Sequence, residues 1–154
     1  MKRALDWPQA WFVLALALTG ASTALLNLQG WPLGGIVLLL VGLGIFATAV
    51  AQMRRAMTTL NPRGQPSQLV TSGVFEISRN PIYLGNVIMI LSLALWIGAP
   101  IGVLVAAGFV KLVTTRVILA EEGRLRTTFG QEFDAWAGQV RRWIRQKRWG
   151  NIAA

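Results

Sequence analysis

The chain has 154 residues, so a single domain spanning 1–154 is expected. Hydrophobic residues make up 54% of it and charged residues only 14%, against roughly 25% in an ordinary soluble domain. This balance excludes an ordinary soluble globular protein and predicts an all-α, polytopic membrane protein. The absence of Cys and His excludes disulfides, thiol nucleophiles, Ser-His-Asp hydrolysis and zinc catalysis in its usual form, so no metal site is expected.

The first apolar region is long enough for two membrane spans. No charged residue occurs between Trp7 and Met53, whereas one crossing of a bilayer takes only about 20 residues. The polar, turn-rich segment 27–32 interrupts this region. We therefore predict a first span at about 9–28 and a second at about 33–53.

A second charge-free region runs from Asn80 to Val110. It is interrupted by the Gly-Ala-Pro sequence at 98–100, which is typical of a tight turn. A third span is predicted at about 81–97 and a fourth at about 100–119. Together they form a helical hairpin whose members are slightly short or tilted.

The basic residues predict the orientation of these spans. They lie in the N-terminal segment (Lys2, Arg3), in the loop after the second span (Arg54, Arg55, Arg63, Arg79) and in the tail (Arg124, Arg126, Arg141, Arg142, Arg145, Lys147, Arg148). The turns at 27–32 and 98–100 contain none. Since basic loops stay in the cytoplasm, four spans with both termini inside are expected. The net charge of +9 then reflects membrane topology, and no nucleic-acid partner is expected.

The tail is predicted to form cytoplasmic helices over about 120–148. Its large apolar residues recur every three or four positions, which indicates one helical stripe made of Leu125, Phe129, Phe133, Trp136, Val140 and Trp143. Gly130 is expected to split this region into two short helices. The basic, Trp-containing segment 139–149 is predicted to be an interfacial helix on the anionic leaflet.

Four charged residues in or just after the fourth span are candidates for function. Lys111 lies deep in the span, where it is either functional or reaches toward the headgroups. At 100° per residue, Lys111, Thr115 and Glu122 share one face of a straight helix, while Arg116 and Glu121 point elsewhere. Either the helix is bent or unwound near its end, or Glu122 alone is the inward carboxylate.

The start of the third span is the other polar segment of interest. Asn80 is positioned to cap the helix and Pro81 to occupy its first turn, with Tyr83 and Gly85 close behind. Free N–H groups at such a helix start can hold a carboxylate or a phosphate. The alternative is that these residues only mark the beginning of the helix.

Two segments carry a resemblance to a known family. Residues 73–85 read GVFEISRNPIYLG, and residues 121–136 read EEGRLRTTFGQEFDAW. Both resemble motifs of the isoprenylcysteine carboxyl methyltransferase and phospholipid methyltransferase superfamily, whose bacterial members also have a similar closing segment at 140–144. The resemblance covers about 54–145, and the two motifs flank the predicted hairpin in the expected order.

The resemblance implies an integral-membrane methyltransferase that uses S-adenosylmethionine and a lipid-like acceptor, such as a prenylcysteine-type carboxylate or a phospholipid headgroup. The residues that it implies for the cofactor pocket are Asn80, Pro81, Tyr83, Gly85, Glu121 and Glu122. Gly42 and Gly44 lie where the phospholipid branch has a Gly-x-Gly, although glycine pairs also serve helix packing. Arg116 is expected to position the acceptor or the cofactor carboxylate. For an amine acceptor, the candidates for proton removal are Glu121, Glu122 and Tyr83.

This chain departs from many eukaryotic members, which have His where Asn80 stands, and Asn cannot act as a base near neutral pH. The short form with Asn resembles bacterial members and suggests the bacterial inner membrane. Two alternatives remain: a nicotinamide-dependent enzyme similar to the C-terminal half of sterol reductases, and a non-enzymatic membrane scaffold. The sequence leaves the acceptor open among carboxylate, amine and thiol, and it gives no indication of oligomeric state.

Overall fold

The computed structural model describes residues 7–26, 28–59, 61, 64 and 66–144. The regular elements in this part of the chain are all helical, as predicted. The α-helices are α1 (Pro8–Ala21), α2 (Pro32–Arg55), α3 (Pro81–Ile97), α4 (Ile101–Val113), α5 (Leu119–Phe129) and α6 (Gln131–Gln139). Short 3-10 turns occupy Ser22–Ala24 and Gly73–Glu76, and a π-helical turn occupies Thr114–Ile118.

Two helices are long and apolar enough to cross a membrane: α2, and the continuous helical rod Ile101–Phe129. The first predicted span is longer than the helix found there, because α1 ends at Ala21 and only a 3-10 turn follows. The 17 residues of α3 match the predicted third span in position. At about 1.5 Å per residue, they fall short of the roughly 30 Å hydrocarbon core. Two candidate spans therefore stand where four were predicted.

The helix α3 lies at the centre of the bundle and contacts α1, α2 and α4. The three buried residues of α2 are small and seven residues apart: Gly35 and Gly42 pack on α3, and Ala49 packs in the cluster that contains Phe75 and Phe133. Small residues allow helix backbones to approach closely in membranes. The other faces of α2 expose large apolar side chains, including Leu33, Val37, Leu40 and Leu43, as expected for contact with lipid.

The two charge-free turns meet at one end of the bundle. The backbone N–H of Leu28 donates to the Gly98 carbonyl at 2.8 Å, and that of Trp31 donates to the Leu95 carbonyl at 2.9 Å. Gly98 has a φ of +69°, and a Cβ at this position would collide with the Leu28 carbonyl. Trp31 and Trp96 are exposed at this same end, as expected for residues at a membrane interface.

The tail folds back onto the bundle as two helices, α5 and α6. Gly130 separates them with a φ of +53°, which confirms the predicted break. Three buried residues of the apolar stripe, Phe133, Trp136 and Val140, pack in one cluster with Ala49 and Phe75, so this face contacts protein. The predicted helix over 139–149 is wrong for its described part, because α6 ends at Gln139 and residues 140–144 are not helical. Residues 145–149 lie outside the described residues.

Candidate active site

The π-helical turn at Thr114–Ile118 sets the direction of the residues that follow it. A π turn is wider than an α turn and takes more residues, so α5 is rotated relative to a straight continuation of α4. Glu121 therefore lines an internal cavity while Glu122 forms ion pairs inside the protein. Of the two alternatives drawn from the sequence, the one with a distorted helix is confirmed.

Glu122 is the centre of a charge cluster on α5. Its Oε1 accepts from Arg142 Nε at 2.9 Å and its Oε2 from Arg142 Nη2 at 2.7 Å, which is a bidentate pair. Arg79 Nη2 lies 3.3 Å from the same Oε1. The Glu122 side chain is only 14% exposed, so both carboxylate oxygens are largely withdrawn from water and satisfied by arginine.

The pKa values of the two arginines in this cluster shift in opposite directions. Burial lowers the pKa of Arg79, and the nearby Glu122 carboxylate opposes that effect. The hydrogen bond to Glu122 raises the pKa of Arg142. Because a guanidinium stays protonated at any physiological pH, both remain cations. Both arginines therefore remain able to pair with the Glu122 carboxylate.

The segment after α6, residues 140–144, is bound to the start of α3, and we call it the C-terminal strap. The Arg79 backbone N–H donates to the Arg141 carbonyl at 3.1 Å. The Arg142 carbonyl accepts from Asn80 Nδ2 at 3.0 Å and from Ser78 Oγ at 3.3 Å. Asn80 holds the N-cap position of α3, as predicted. The predicted cap itself is absent, because the Asn80 side chain makes no hydrogen bond to the first turn of the helix. It connects the first residues of α3 to the strap instead.

A cavity of about 190 Å³ opens at the end of the bundle opposite the charge-free turns. It is enclosed by the beginning of α1, the last turns of α2, the loop that follows, the start of α3, and parts of α5 and α6. Four of the predicted site residues line it: Asn80, Pro81, Tyr83 and Glu121. The segments of the two sequence motifs thus meet around one space.

The other predicted site residues lie outside the cavity lining. Gly85 packs against Gly42, since a Cβ on Gly85 would stand 2.8 Å from the Gly42 carbonyl oxygen. Gly44 is exposed on another face of α2, with no neighbour near its Cα. Arg116 and Lys111 are exposed on the α4 rod and its π turn. Glu122 is the centre of the ion pairs described above.

Glu121 differs from Glu122 in its partners. Its carboxylate lies in the cavity wall and makes no hydrogen bond or ion pair with another described residue, although the cation of Arg124, which lines the same cavity, acts on it electrostatically. The Tyr83 ring is buried in the same wall, one turn into α3. A carboxylate held in this way is suited to bind a cation or a pair of hydroxyl groups on a ligand.

Three further cavity residues were missed by sequence reasoning. Thr58 Oγ1, Arg79 Nε and Trp136 Nε1 are buried atoms that have no hydrogen-bond partner among the described residues, and all three residues line the cavity. Buried donors are nearly always satisfied in folded proteins, so unsatisfied ones around a cavity point to a ligand. Arg79 and Trp136 fall within the two motifs, but only the fold brings them together with Thr58.

The two glycines near the middle of α2 are expected to respond differently to alanine. A Cβ on Gly42 would stand 2.9 Å from Met89 Cγ and 3.1 Å from the Gly85 carbonyl oxygen, so Gly42→Ala must push α2 away from α3. Gly44→Ala meets no neighbour and gains up to about 1 kcal/mol of helix propensity. Thermal unfolding in detergent is expected to give a lower midpoint for Gly42→Ala and an unchanged or higher one for Gly44→Ala. A loss of stability in both would contradict this assignment.

Comparison with known families gives one match. The profile of the phospholipid methyltransferase family matches residues 30–132, about two thirds of the chain. This region contains α2, α3, α4, the π turn and α5, and with α5 it contains both carboxylates of the site, Glu121 and Glu122. No curated protein and no solved structure matches the chain significantly.

Proposed function

Because the chain belongs to the phospholipid methyltransferase family, a family of membrane methyltransferases, we propose that it transfers a methyl group from S-adenosylmethionine to a lipid-like acceptor in the bilayer. The observation that carries this proposal is the unpaired Glu121 carboxylate in a cavity built by both motifs. The cavity lies at the end of the bundle that bears the arginines.

The residues present fit such a cofactor. Its amino group and ribose hydroxyls need an acceptor, and Glu121 offers one that no described residue occupies. Its carboxylate and adenine need donors, and the buried atoms Thr58 Oγ1, Arg79 Nε and Trp136 Nε1 offer three that no described residue accepts from. Tyr83 gives the same wall an aromatic surface. We propose Asn80, Pro81, Tyr83 and Glu121 as contacts of the cofactor, and Gly85 and Glu122 as residues that position them.

When bound, S-adenosylmethionine supplies a methyl group on a sulfonium, which needs no metal and no covalent enzyme intermediate. The protein has to hold donor and acceptor in line and to keep water out, and such positioning is worth about 7–11 kcal/mol of the barrier. Phe46, Val50 and Met53 on α2 and Leu125 on α5 provide an apolar wall for this purpose.

The acceptor determines whether a base is needed. A carboxylate or a thiolate reacts without losing a proton, whereas a protonated amine must lose one first. Asn80 cannot accept that proton, and both oxygens of Glu122 are occupied by Arg142. For an amine acceptor, Glu121 is therefore the proposed proton acceptor. We leave Arg116 out of the proposed site, because its exposed side chain does not line the cavity.

We propose that the arginine-bearing end of the bundle faces the cytoplasm, with both chain termini on that side, in a bacterial inner membrane. The positive-inside rule supports this orientation, since the turns at the opposite end contain no Lys or Arg. The anionic cytoplasmic leaflet would then be the surface next to the cavity.

Equilibrium binding of S-adenosylmethionine to the purified protein in detergent, with S-adenosylhomocysteine as competitor, tests the proposal. Glu121→Gln removes the charge with little change in shape, and we expect it to weaken binding by about ten-fold or more, since hydrogen bonds to charged groups contribute roughly 1.5–3 kcal/mol. Glu132→Gln on the exposed face of α6 is the matched control and is expected to bind as the wild type does.

A folded wild-type protein that binds NADPH but neither S-adenosyl compound would overturn the proposal and favour the nicotinamide-dependent alternative. A protein that binds none of them would favour a scaffold. With binding established, incorporation of labelled methyl groups into extracted membrane lipids identifies the acceptor.

A further inference from the structure

The three donors that fit the cofactor share a property that the proposed function does not assign to one ligand group. Thr58 Oγ1, Arg79 Nε and Trp136 Nε1 lie on three separate parts of the fold, and each is buried without a hydrogen bond to any residue that the structure describes. We propose that they form a binding subsite for an oxyanion, either the carboxylate of the cofactor or the phosphodiester of a lipid acceptor. This inference rests on the proposed function and specifies which ligand group the cavity recognises.

The charge balance around Arg79 supports an anion. Arg142 occupies both oxygens of Glu122, and Arg126 Nε pairs with Asp134 Oδ1 at 2.7 Å. Arg79 has only the longer 3.3 Å contact with Glu122, and the cations of Arg142 and Arg126 act against it. The three guanidiniums thus face two carboxylates, and the excess positive charge lies on the one arginine of the three that lines the cavity.

The position of Arg79 is fixed by its neighbours. Its guanidinium lies over the ring of the fully buried Phe133, with 5.9 Å between its carbon and the ring centroid. Its backbone N–H is bound to the C-terminal strap. Only 13% of the side chain is exposed, so water provides little compensation for the excess charge. A side chain held in this way is preorganised for an anionic ligand.

The two neutral donors are also held in place. The Trp136 ring packs edge-to-face on Phe133, with centroids 5.9 Å apart and planes at 72°, so the direction of its N–H is fixed. The Thr58 backbone N–H donates to the Met53 carbonyl at 3.1 Å, which fixes this residue just beyond the end of α2. One cation and two neutral donors are a suitable set for an oxyanion, which accepts several hydrogen bonds.

Glu121 adds an acceptor to the cavity wall, whereas Thr58, Arg79 and Trp136 provide donors. Its carboxylate rejects an anion and attracts a cation or hydroxyl groups, whereas the donor set does the reverse. A ligand with both an anionic and a cationic or hydroxyl group satisfies the two together. The amino-acid end of S-adenosylmethionine and a zwitterionic phospholipid headgroup both meet this description, so the test must separate them.

Three substitutions remove one donor each: Thr58→Val, Trp136→Phe and Arg79→Gln. Thr58→Val keeps the shape of the side chain and Trp136→Phe keeps an aromatic ring next to Phe133, so both remain informative if Arg79→Gln fails to fold. Matched controls are Thr48→Val, Trp143→Phe and Arg126→Gln, because none of these residues lines the cavity. Binding is measured for S-adenosylhomocysteine, for its decarboxylated analogue and for short-chain phosphatidylethanolamine, with folding checked by circular dichroism.

If the oxyanion is the cofactor carboxylate, the donor variants bind S-adenosylhomocysteine about 10- to 100-fold more weakly, in keeping with a lost charge-assisted hydrogen bond. They then bind the decarboxylated analogue as the wild type does. If the oxyanion is a lipid phosphate, the donor variants lose affinity only for phosphatidylethanolamine. Folded variants that bind all three ligands normally, or that weaken both nucleosides equally, would overturn the inference. A wild-type protein that binds none would overturn the proposed function and this inference with it.

Discussion

Replacing Glu122 with Gln is expected to destabilise the protein by on the order of 3 kcal/mol, the loss that follows when one partner of a buried ion pair is removed. The substitution leaves Arg79 and Arg142 facing each other across a neutral amide, which cannot accept from both as the carboxylate does. The strap is held to α5 through Arg142, so its contacts with Ser78 and Asn80 should weaken as well.

Thermal unfolding in a fixed detergent measures this effect. Asp134→Asn is the matched control, because the Arg126–Asp134 pair is more than half exposed on both sides and such pairs contribute about 0–1 kcal/mol. Combining Glu122→Gln with Arg142→Gln should cost less than the sum of the two single changes, since the residues share one interaction. Equal midpoints for Glu122→Gln and Asp134→Asn would show that the cluster does not stabilise the fold.

Much of the architecture follows from local rules. The charge-free regions, Pro81 at the start of α3, and the glycines at 98 and 130 predicted where helices begin and end. The extent of the first span was wrong because an apolar run does not by itself continue a helix. After Ala21 the chain turns in order to bring Leu28 and Trp31 to the α3–α4 hairpin.

The site was predictable where its residues are close in sequence. Asn80, Pro81 and Tyr83 lie in one motif and Glu121 in the other, and the four meet in one cavity. The strap was not predictable, because its hydrogen bonds join residues more than 60 positions apart. The segment 139–149 has the composition of an interfacial helix, yet residues 140–144 are not helical and are hydrogen-bonded to Ser78–Asn80.

The three unpartnered donors show a second limit of predicting the site from the sequence. Arg79 reads as one more basic residue of a cytoplasmic loop, and Trp136 as one more member of an apolar stripe. Their significance depends on atoms that lack a partner, and such an absence has no signature in the sequence. Burial of a cation beside an aromatic ring, with its nearest carboxylate already bound by another arginine, became visible only in the packed structure.

Insertion of one alanine between Leu119 and Ala120 is expected to abolish cofactor binding, which is the largest functional effect that we predict. The π turn already absorbs one residue more than an α turn holds, and this sets the direction of α5. Each further residue turns an α-helix by about 100°, so every side chain after the insertion would rotate by about that angle relative to α4. Glu121 then leaves the cavity wall, and Glu122 turns away from Arg142.

Deletion of Thr115 is the control, because it removes the extra residue of the π turn and lets α4 continue into α5 as a regular helix that presents the same face. We expect this variant to bind S-adenosylhomocysteine, and the insertion variant to bind none while keeping its helical circular dichroism. Binding by the insertion variant at wild-type affinity would mean that the direction of α5 does not orient the site. Loss of binding in the insertion variant alone would mean that Thr114–Ile118 directs both carboxylates by absorbing one residue.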